Sequence, residues 1–209
     1  MKEYLSKEEQ NRQFHLGYTM AFGATTKRRN WNNIVALWRS AATYGHKRAQ
    51  FYLGTCYDHG LGVKKDIAEA FKWFLKAAKQ GHMESQYNIG FFYKKGELVG
   101  QDFKMAVKWY MSAAKRGDTE AQRDLGYCYY YGEGVKENYQ KATYWYRKAA
   151  SKNDQKALYN LGLCHANGDG VRKSVHWARH YFMKAKLLGH KEAERQLKAL
   201  RIMARPTNH

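Results

Sequence analysis

The chain has 209 residues, 37 of them Lys or Arg against 18 Asp or Glu, giving a formal net charge of +19 and a pI near 9.8. That length is large for one compact unit but ordinary for five or so short repeats with caps. No stretch approaches the roughly 20 apolar residues of a bilayer span, and Met1 to Glu9 contain no apolar run, so no signal peptide is visible and the chain reads as cytoplasmic.

In chain order, Ser6 and Glu9 form a capping box that opens a first helix running through Leu16-Gly17-Tyr18. Asn30 then caps a second helix. From Ala49-Gln50-Phe51-Tyr52-Leu53-Gly54 onward the pattern becomes periodic. Gly54, Gly90, Gly126 and Gly162 each follow Leu or Ile and are separated by 36 residues, while the step from Gly17 to Gly54 is 37, one extra residue in a loop. A fixed period of this size marks one supersecondary unit repeated along the chain. In each unit a first helix ends at a glycine (Gly60, Gly96, Gly132, Gly168), where a left-handed residue stops it without Cβ strain. A second helix starts at Asp66, Asp102, Asn138 or Ser174, side chains that accept a hydrogen bond from first-turn amides. The single proline, Pro206, leaves all these helices uninterrupted. The expected fold is therefore all-α, a right-handed α-solenoid of antiparallel helix pairs forming a single domain. Its divisions are a divergent repeat over 6–45, repeats over 46–81, 82–117, 118–153 and 154–189, a capping helix over 190–203 and a tail over 204–209.

Residues that recur in register are assigned to packing. The glycines of the Leu-Gly column let the two helices of a hairpin approach, and the pairs Ala77-Ala78, Ala113-Ala114 and Ala149-Ala150 let the next unit dock. Trp73, Trp109 and Trp145 are expected to fill the space between layers, each contributing about 2–3 kcal/mol of burial. Cys56, Cys128 and Cys164 share one column with Phe92, a packing position, so buried reduced thiols are expected. His46, His82 and His190 follow turn glycines at whole-period spacing and belong to the repeat itself. His176 and His180 have an i, i+4 spacing able to hold zinc, but no Glu-based motif or Cys pair accompanies them, and they read as part of a basic exposed helix. No phosphate loop, nucleophile elbow or paired carboxylate stands in a credible setting, so neither an enzyme nor a cofactor is expected.

The periodic residues Ala49 to Gly81, Ser85 to Gly117, Ala121 to Asn153 and Ala157 to Gly189, preceded by a divergent copy from Phe14 to Gly45, resemble the Sel-one-like repeat family, relatives of the tetratricopeptide repeats. The chain departs from the family pattern at Leu98 (for the second loop glycine), His165 (for a helix-one Tyr) and Arg123 (for an aromatic). The resemblance implies an adaptor or scaffold that binds proteins and brings no active site. By analogy with tetratricopeptide stacks, first helices line a concave groove. Its inward positions are Tyr18 with Phe14 and Phe22 in the first unit, then Phe51, Thr55, Asp58 and His59. Tyr87, Phe91, Lys94 and Lys95 follow, then Arg123, Tyr127, Tyr130 and Tyr131, then Tyr159 with Leu163, Ala166 and Asn167. Rigid rings with scattered cations suit hot spots of protein binding; for Phe51, Tyr87 and Tyr159 the alternative is inter-repeat core. The second helices carry a basic face that includes Lys72, Lys76, Lys108, Lys148, Arg179 and Lys184, and from Arg172 to Arg205 ten Lys or Arg meet only Glu192 and Glu194. The expected partner is thus an acidic protein, such as a toxin or effector held by an immunity (antitoxin) protein. The alternative is sequence-nonspecific nucleic acid on the basic convex face. A monomer without a membrane span is favoured.

Overall fold

A computed structural model describes residues 5–23 and 29–203, with side chains up to residue 200. Among the described residues there are eleven helices and no strand. They are α1 (Lys7–Phe22), α2 (Trp31–Thr43), α3 (Lys47–His59), α4 (Ile67–Lys79), α5 (Met83–Lys95) and α6 (Phe103–Lys115). Beyond these lie α7 (Thr119–Tyr131), α8 (Tyr139–Ala150), α9 (Gln155–Asn167), α10 (Val175–Leu187) and α11 (Lys191–Met203). The chain divides into two compact units, Met1–Gln101 and Asp102–His209. The boundary falls inside the repeat 82–117. The loop with the extra residue includes 24–28, and the tail spans 204–209; both lie outside the described residues.

Helix boundaries follow the capping chemistry read from the sequence. Ser6 accepts from the Glu9 amide, and Asn30, Asp66, Asp102, Asn138 and Ser174 accept from the amides of Asn33, Glu69, Met105, Lys141 and Trp177. Each cap satisfies one of the donors that a helix start leaves free. Gly60, Gly96, Gly132 and Gly168 close the first helices at φ of 72°, 73°, 71° and 95°. Helix ends inside the stack are also sealed by a glutamine column. Gln50, Gln86 and Gln122 donate from Nε2 to the carbonyls of Ala42, Ala78 and Ala114 at 3.0, 3.2 and 3.0 Å. Each bond ties the start of a first helix to the end of the helix before it, so one polar side chain removes a carbonyl left over at a buried helix end.

The core is built from a different aromatic column than the tryptophans. A Cβ added to Gly54, Gly126 or Gly162 would lie 2.8, 2.6 or 2.5 Å from a ring carbon of Phe74, Tyr146 or Phe182; at Gly17 the neighbour is Trp38 Nε1 at 2.7 Å. The Leu-Gly column is therefore a socket, and the ring filling it comes from the second helix one position after Trp73, Trp145 and Tyr181. Phe74, Tyr110, Tyr146, Phe182 and Trp38 are buried, whereas Trp73 and Trp109 are half-buried and only Trp145 joins the buried set. This corrects the expectation that the tryptophans fill the space between layers. Adjacent positions on a helix point about 100° apart, so the ring one position after the tryptophan column is the one that faces the glycine. The Ala pairs 77–78 and 113–114 are fully buried as expected. In the first unit the cluster runs from Phe14 through Ile34, Trp38 and Ala41 to Leu53 and Cys56. In the second, one cluster joins Ala142, Tyr146, Leu161 and Cys164, and another joins Leu158, Phe182, Ala193, Leu197 and Leu200 beneath α11. The three cysteines are buried and form no disulfide, and burial pushes the Cys56 and Cys164 thiols up to about 12.

Candidate functional site

Three of the expected groove positions are built into contacts between successive repeats. The Phe51 ring stacks on His82 (centroids 4.6 Å, 26°) and Tyr159 on His190 (4.2 Å, 13°), with Phe14 on His46 in the same way (4.6 Å, 24°). The turn histidine of one repeat thus lies flat against the first-helix ring of the preceding one. For Phe51 and Tyr159 the inter-repeat alternative accounts for the face of the ring. At the equivalent place in the second unit, Arg123 reaches Asp154 (Nη1 to Oδ2, 3.1 Å) and Asp124 (Nε to Oδ1, 2.8 Å), and its side chain is 15% exposed. Asp154 is also the N-cap of α9, accepting from Ala157 N at 2.7 Å. Arg123 is therefore a clamp between repeats whose charge is neutralised in place. Its expected role as a groove cation is corrected on that ground.

What remains on the first helices is organised separately in each unit. In the first unit Tyr18 is half-buried among Phe14, Phe22 and Tyr52, and the Arg48 guanidinium lies 5.6 Å from its ring centroid. His59 Nδ1 lies 3.1 Å from the Thr55 carbonyl and 3.4 Å from Asp58. Asp58, Tyr87, Phe91 and Lys95 line one recess of about 510 Å³ floored by Phe74. Phe91 is 42% exposed with the Lys95 ammonium 5.7 Å from its centroid, and Lys94 is half-buried beside it, its carbonyl accepting from Gln101 Nε2 at 3.0 Å.

In the second unit the run Tyr127 to Tyr131 ends α7 in a tyrosine cluster. Tyr127 and Tyr131 are 4.4 Å apart between centroids, Tyr130 and Tyr131 4.9 Å, and Tyr130 and Tyr139 5.1 Å. Tyr130 Oη donates to Asp169 Oδ2 at 2.6 Å, and Asn167 Nδ2 donates to the same oxygen at 3.1 Å. Burial, with the Asp169 carboxylate beside it, raises the Tyr130 pKa, so the phenol stays protonated and the bond persists at neutral pH. Tyr130 is thereby a fixed support and Tyr131, 59% exposed, the ring presented to solvent. The sequence grouped the two together; the Asp169 bond, 39 residues away, separates their roles.

Lys72, Lys76, Lys108, Lys148, Arg179 and Lys184 are all exposed. Lys72 pairs with Glu69, the Lys76 ammonium lies 4.1 Å from the Trp73 centroid, and the Lys148 ammonium lies 5.4 Å from that of Trp145. Trp73 and Trp145 thus each carry a lysine over the ring. His176 and His180 each stand edge-on to Trp177. Among the described residues no three His, Cys, Asp or Glu side chains are grouped to hold a metal ion, and no helix is long and apolar enough to cross a membrane.

Paired helices of nearly constant length, glutamine hooks and aromatic-filled glycine sockets define a repeat protein of the α-solenoid class. The Sel1 repeat model matches residues 47–82, 84–118, 119–154 and 155–190, and the chain belongs to the Sel1 repeat family. A protective antigen of uropathogenic Escherichia coli strains, displaying an SLR fold, is similar over 93% of this chain at 31% identity and a TM-score of 0.86. This chain spans 42% of that protein's length. A Sel1 repeat protein of Oxalobacter formigenes matches 94% of this chain and 81% of its own at 30% identity and a TM-score of 0.82. An immunity protein of Pseudomonas aeruginosa shares the fold at 23% identity and a TM-score of 0.53, over 90% of this chain and 69% of its own. No curated protein matches the chain. Sel1 repeats are scaffolds for protein–protein interaction.

Proposed function

We propose that the chain is a non-enzymatic scaffold that binds an acidic protein partner through its first-helix faces. The observation that carries this reading is Tyr131, an exposed ring held by Tyr127 and by the Asp169-anchored Tyr130. A large ring fixed before binding loses little entropy on association, which is what makes Tyr a frequent hot spot. In the first unit Phe91, with Lys94 and Lys95, offers the same pairing of ring and cation. The formal charge of +19 supports an acidic partner through long-range attraction.

The test is affinity capture from the source organism, comparing the intact chain with Tyr131→Ala and with a Tyr131→Ala, Lys94→Glu variant. The expected result is a specific partner of low pI, lost from both variants and weakened by salt. A partner held equally by all three removes the first-helix assignment. The narrower form, in which the partner is a toxin and this chain its immunity protein, has the fold in common with the P. aeruginosa protein. It requires that a toxin encoded beside the gene be inhibited by stoichiometric addition of the chain. The nucleic-acid reading rests on the exposed lysines of the second helices. It requires binding to unrelated duplexes at low salt that is lost when Lys72, Lys76 and Lys108 are neutralised.

A further inference from the structure

The period permits a residue-by-residue comparison of the hairpins, and one difference between the first and the fourth lies where an arginine of the preceding helix meets the first helix. In the first unit Arg39 Nη2 donates to Tyr57 Oη at 2.9 Å, and its guanidinium lies 5.9 Å from the ring centroid. Three periods later the same two positions hold Arg147 and His165. An imidazole is shorter than a phenol and has no terminal hydroxyl to meet the arginine. A cavity of about 600 Å³ occupies this place, lined by Arg147, His165, Arg172, Lys173, Ser174 and Trp177 among others.

Charge changes with shape. Around Tyr57 the equivalent residues are Lys64, Lys65, Asp66 and Glu69, two cations beside two carboxylates; around Tyr129 they are Lys136, Glu137, Asn138 and Lys141. In the fourth hairpin they are Arg172, Lys173, Ser174 and Trp177, with no carboxylate. Arg147, Arg172 and Lys173 therefore face one hollow without an acidic counterpart lining it. The nearby Asp169 carboxylate is already held by Tyr130 and Asn167. The cavity also adjoins the start of α10, where the Ser174 hydroxyl takes the Trp177 amide. Independently of these cations, His165 is only 8% exposed, and its Nδ1 has no hydrogen-bond partner among the described residues. Burial is the main cause of its lowered pKa, the Arg172 backbone opposing and the Arg147 charge assisting. The His165 ring forms one wall of a hollow whose lining carries three cations and no carboxylate, an arrangement that an anion completes.

We propose that this cavity binds a phosphate group, either inorganic phosphate or a phosphate monoester, with its oxygens on Arg147, Arg172 and Lys173. Two guanidinium forks and an ammonium supply more donors, and more charge, than a single carboxylate can satisfy, whereas a tetrahedral dianion matches both. The site is separate from the tyrosine cluster, so failure of either assignment leaves the other intact.

The experiment is an amide-resolved NMR titration of the full chain with inorganic phosphate against chloride at matched ionic strength. Saturable shifts confined to residues around Arg172 to Trp177 are expected. Arg172→Ala, and His165→Tyr, which refills the hollow with the residue of the other repeats, should each weaken binding by about tenfold or more. Lys184→Ala, on the same helix about two turns beyond Trp177, should leave it unchanged. Chloride-like shifts, wild-type affinity in Arg172→Ala, or equal losses in Lys184→Ala and Arg172→Ala overturn the proposal. Arg172 lies in an exposed loop, so its variant decides the matter if His165→Tyr does not fold. A phosphoserine peptide provides the second arm: tighter binding than inorganic phosphate assigns the group to a partner chain, and equal binding to a small phosphate ester.

Discussion

Replacing Gly126 by Ala tests the socket directly, because two effects of known sign oppose each other there. In an exposed helix the change stabilises by about 1 kcal/mol, since Ala loses less backbone entropy than Gly. Here the new Cβ would stand 2.6 and 2.7 Å from Cδ1 and Cε1 of Tyr146 and 3.2 Å from the Ala142 carbonyl oxygen. Ordinary carbon contacts fall near 3.5–4.0 Å, so the ring must retreat by roughly 1 Å. Tyr146 is 2% exposed, packed in the cluster with Leu161 and Cys164, and has nowhere to go without moving the helix. Overpacking of this kind costs about 1–3 kcal/mol. The net expectation is a loss of up to about 2 kcal/mol, read as a lower urea midpoint by far-ultraviolet circular dichroism with unchanged m-value. In a Tyr146→Ala background the obstacle is gone, and the same glycine substitution should become neutral or stabilising by up to about 1 kcal/mol. An equal loss in both backgrounds would refute the socket and place the cost in the α7 backbone.

The corrected aromatic column makes a second prediction. Phe74→Ala should cost about 3–5 kcal/mol as a buried large-to-small change, and Trp73→Ala clearly less despite the larger ring; comparable midpoints would return the tryptophans to the core. Stability should also fall in mild acid. Burial holds the His46 pKa below 6.5, so the unfolded chain takes up protons first, and the contribution of the neutral ring, complete above pH 6.5, is lost as pH falls through the lower folded value. Because His46 Nδ1 accepts from the Ala49 amide, its protonation also removes a helix cap. His46→Asn should keep the cap and flatten that part of the pH profile of thermal unfolding, measured by calorimetry. Cys56 and Cys164, with thiols pushed up to about 12, should resist alkylation at pH 8 in the native state and react on denaturation, followed by mass spectrometry.

Much of the architecture was legible because it is local. A capping Asp or Asn, a terminating glycine and an apolar stripe act within one or two turns, and the 36-residue step multiplies each signal. Of the candidate site, Tyr131, Phe91 and Lys95 are singled out by counting from the Leu-Gly column, and all three are exposed. Arg123 is reached by the same count, but its partner Asp154 lies 31 residues on and nothing in a single repeat announces the pair. The Phe51–His82 and Tyr159–His190 stacks were half-visible. Both histidines were recognised as part of the repeat, but the spacing did not say what they touch.

The sequence by itself determined that this protein is a stack of helix pairs, where each helix starts and stops, and which residues recur. Only the tertiary structure decided which ring enters the glycine socket, which arginine is already paired, and where His165 leaves a hollow among cations. The physical reason is that a repeat period fixes spacing along the chain. Contact between helices depends instead on the rotation of each about its axis, where one residue's shift turns a side chain by about 100°.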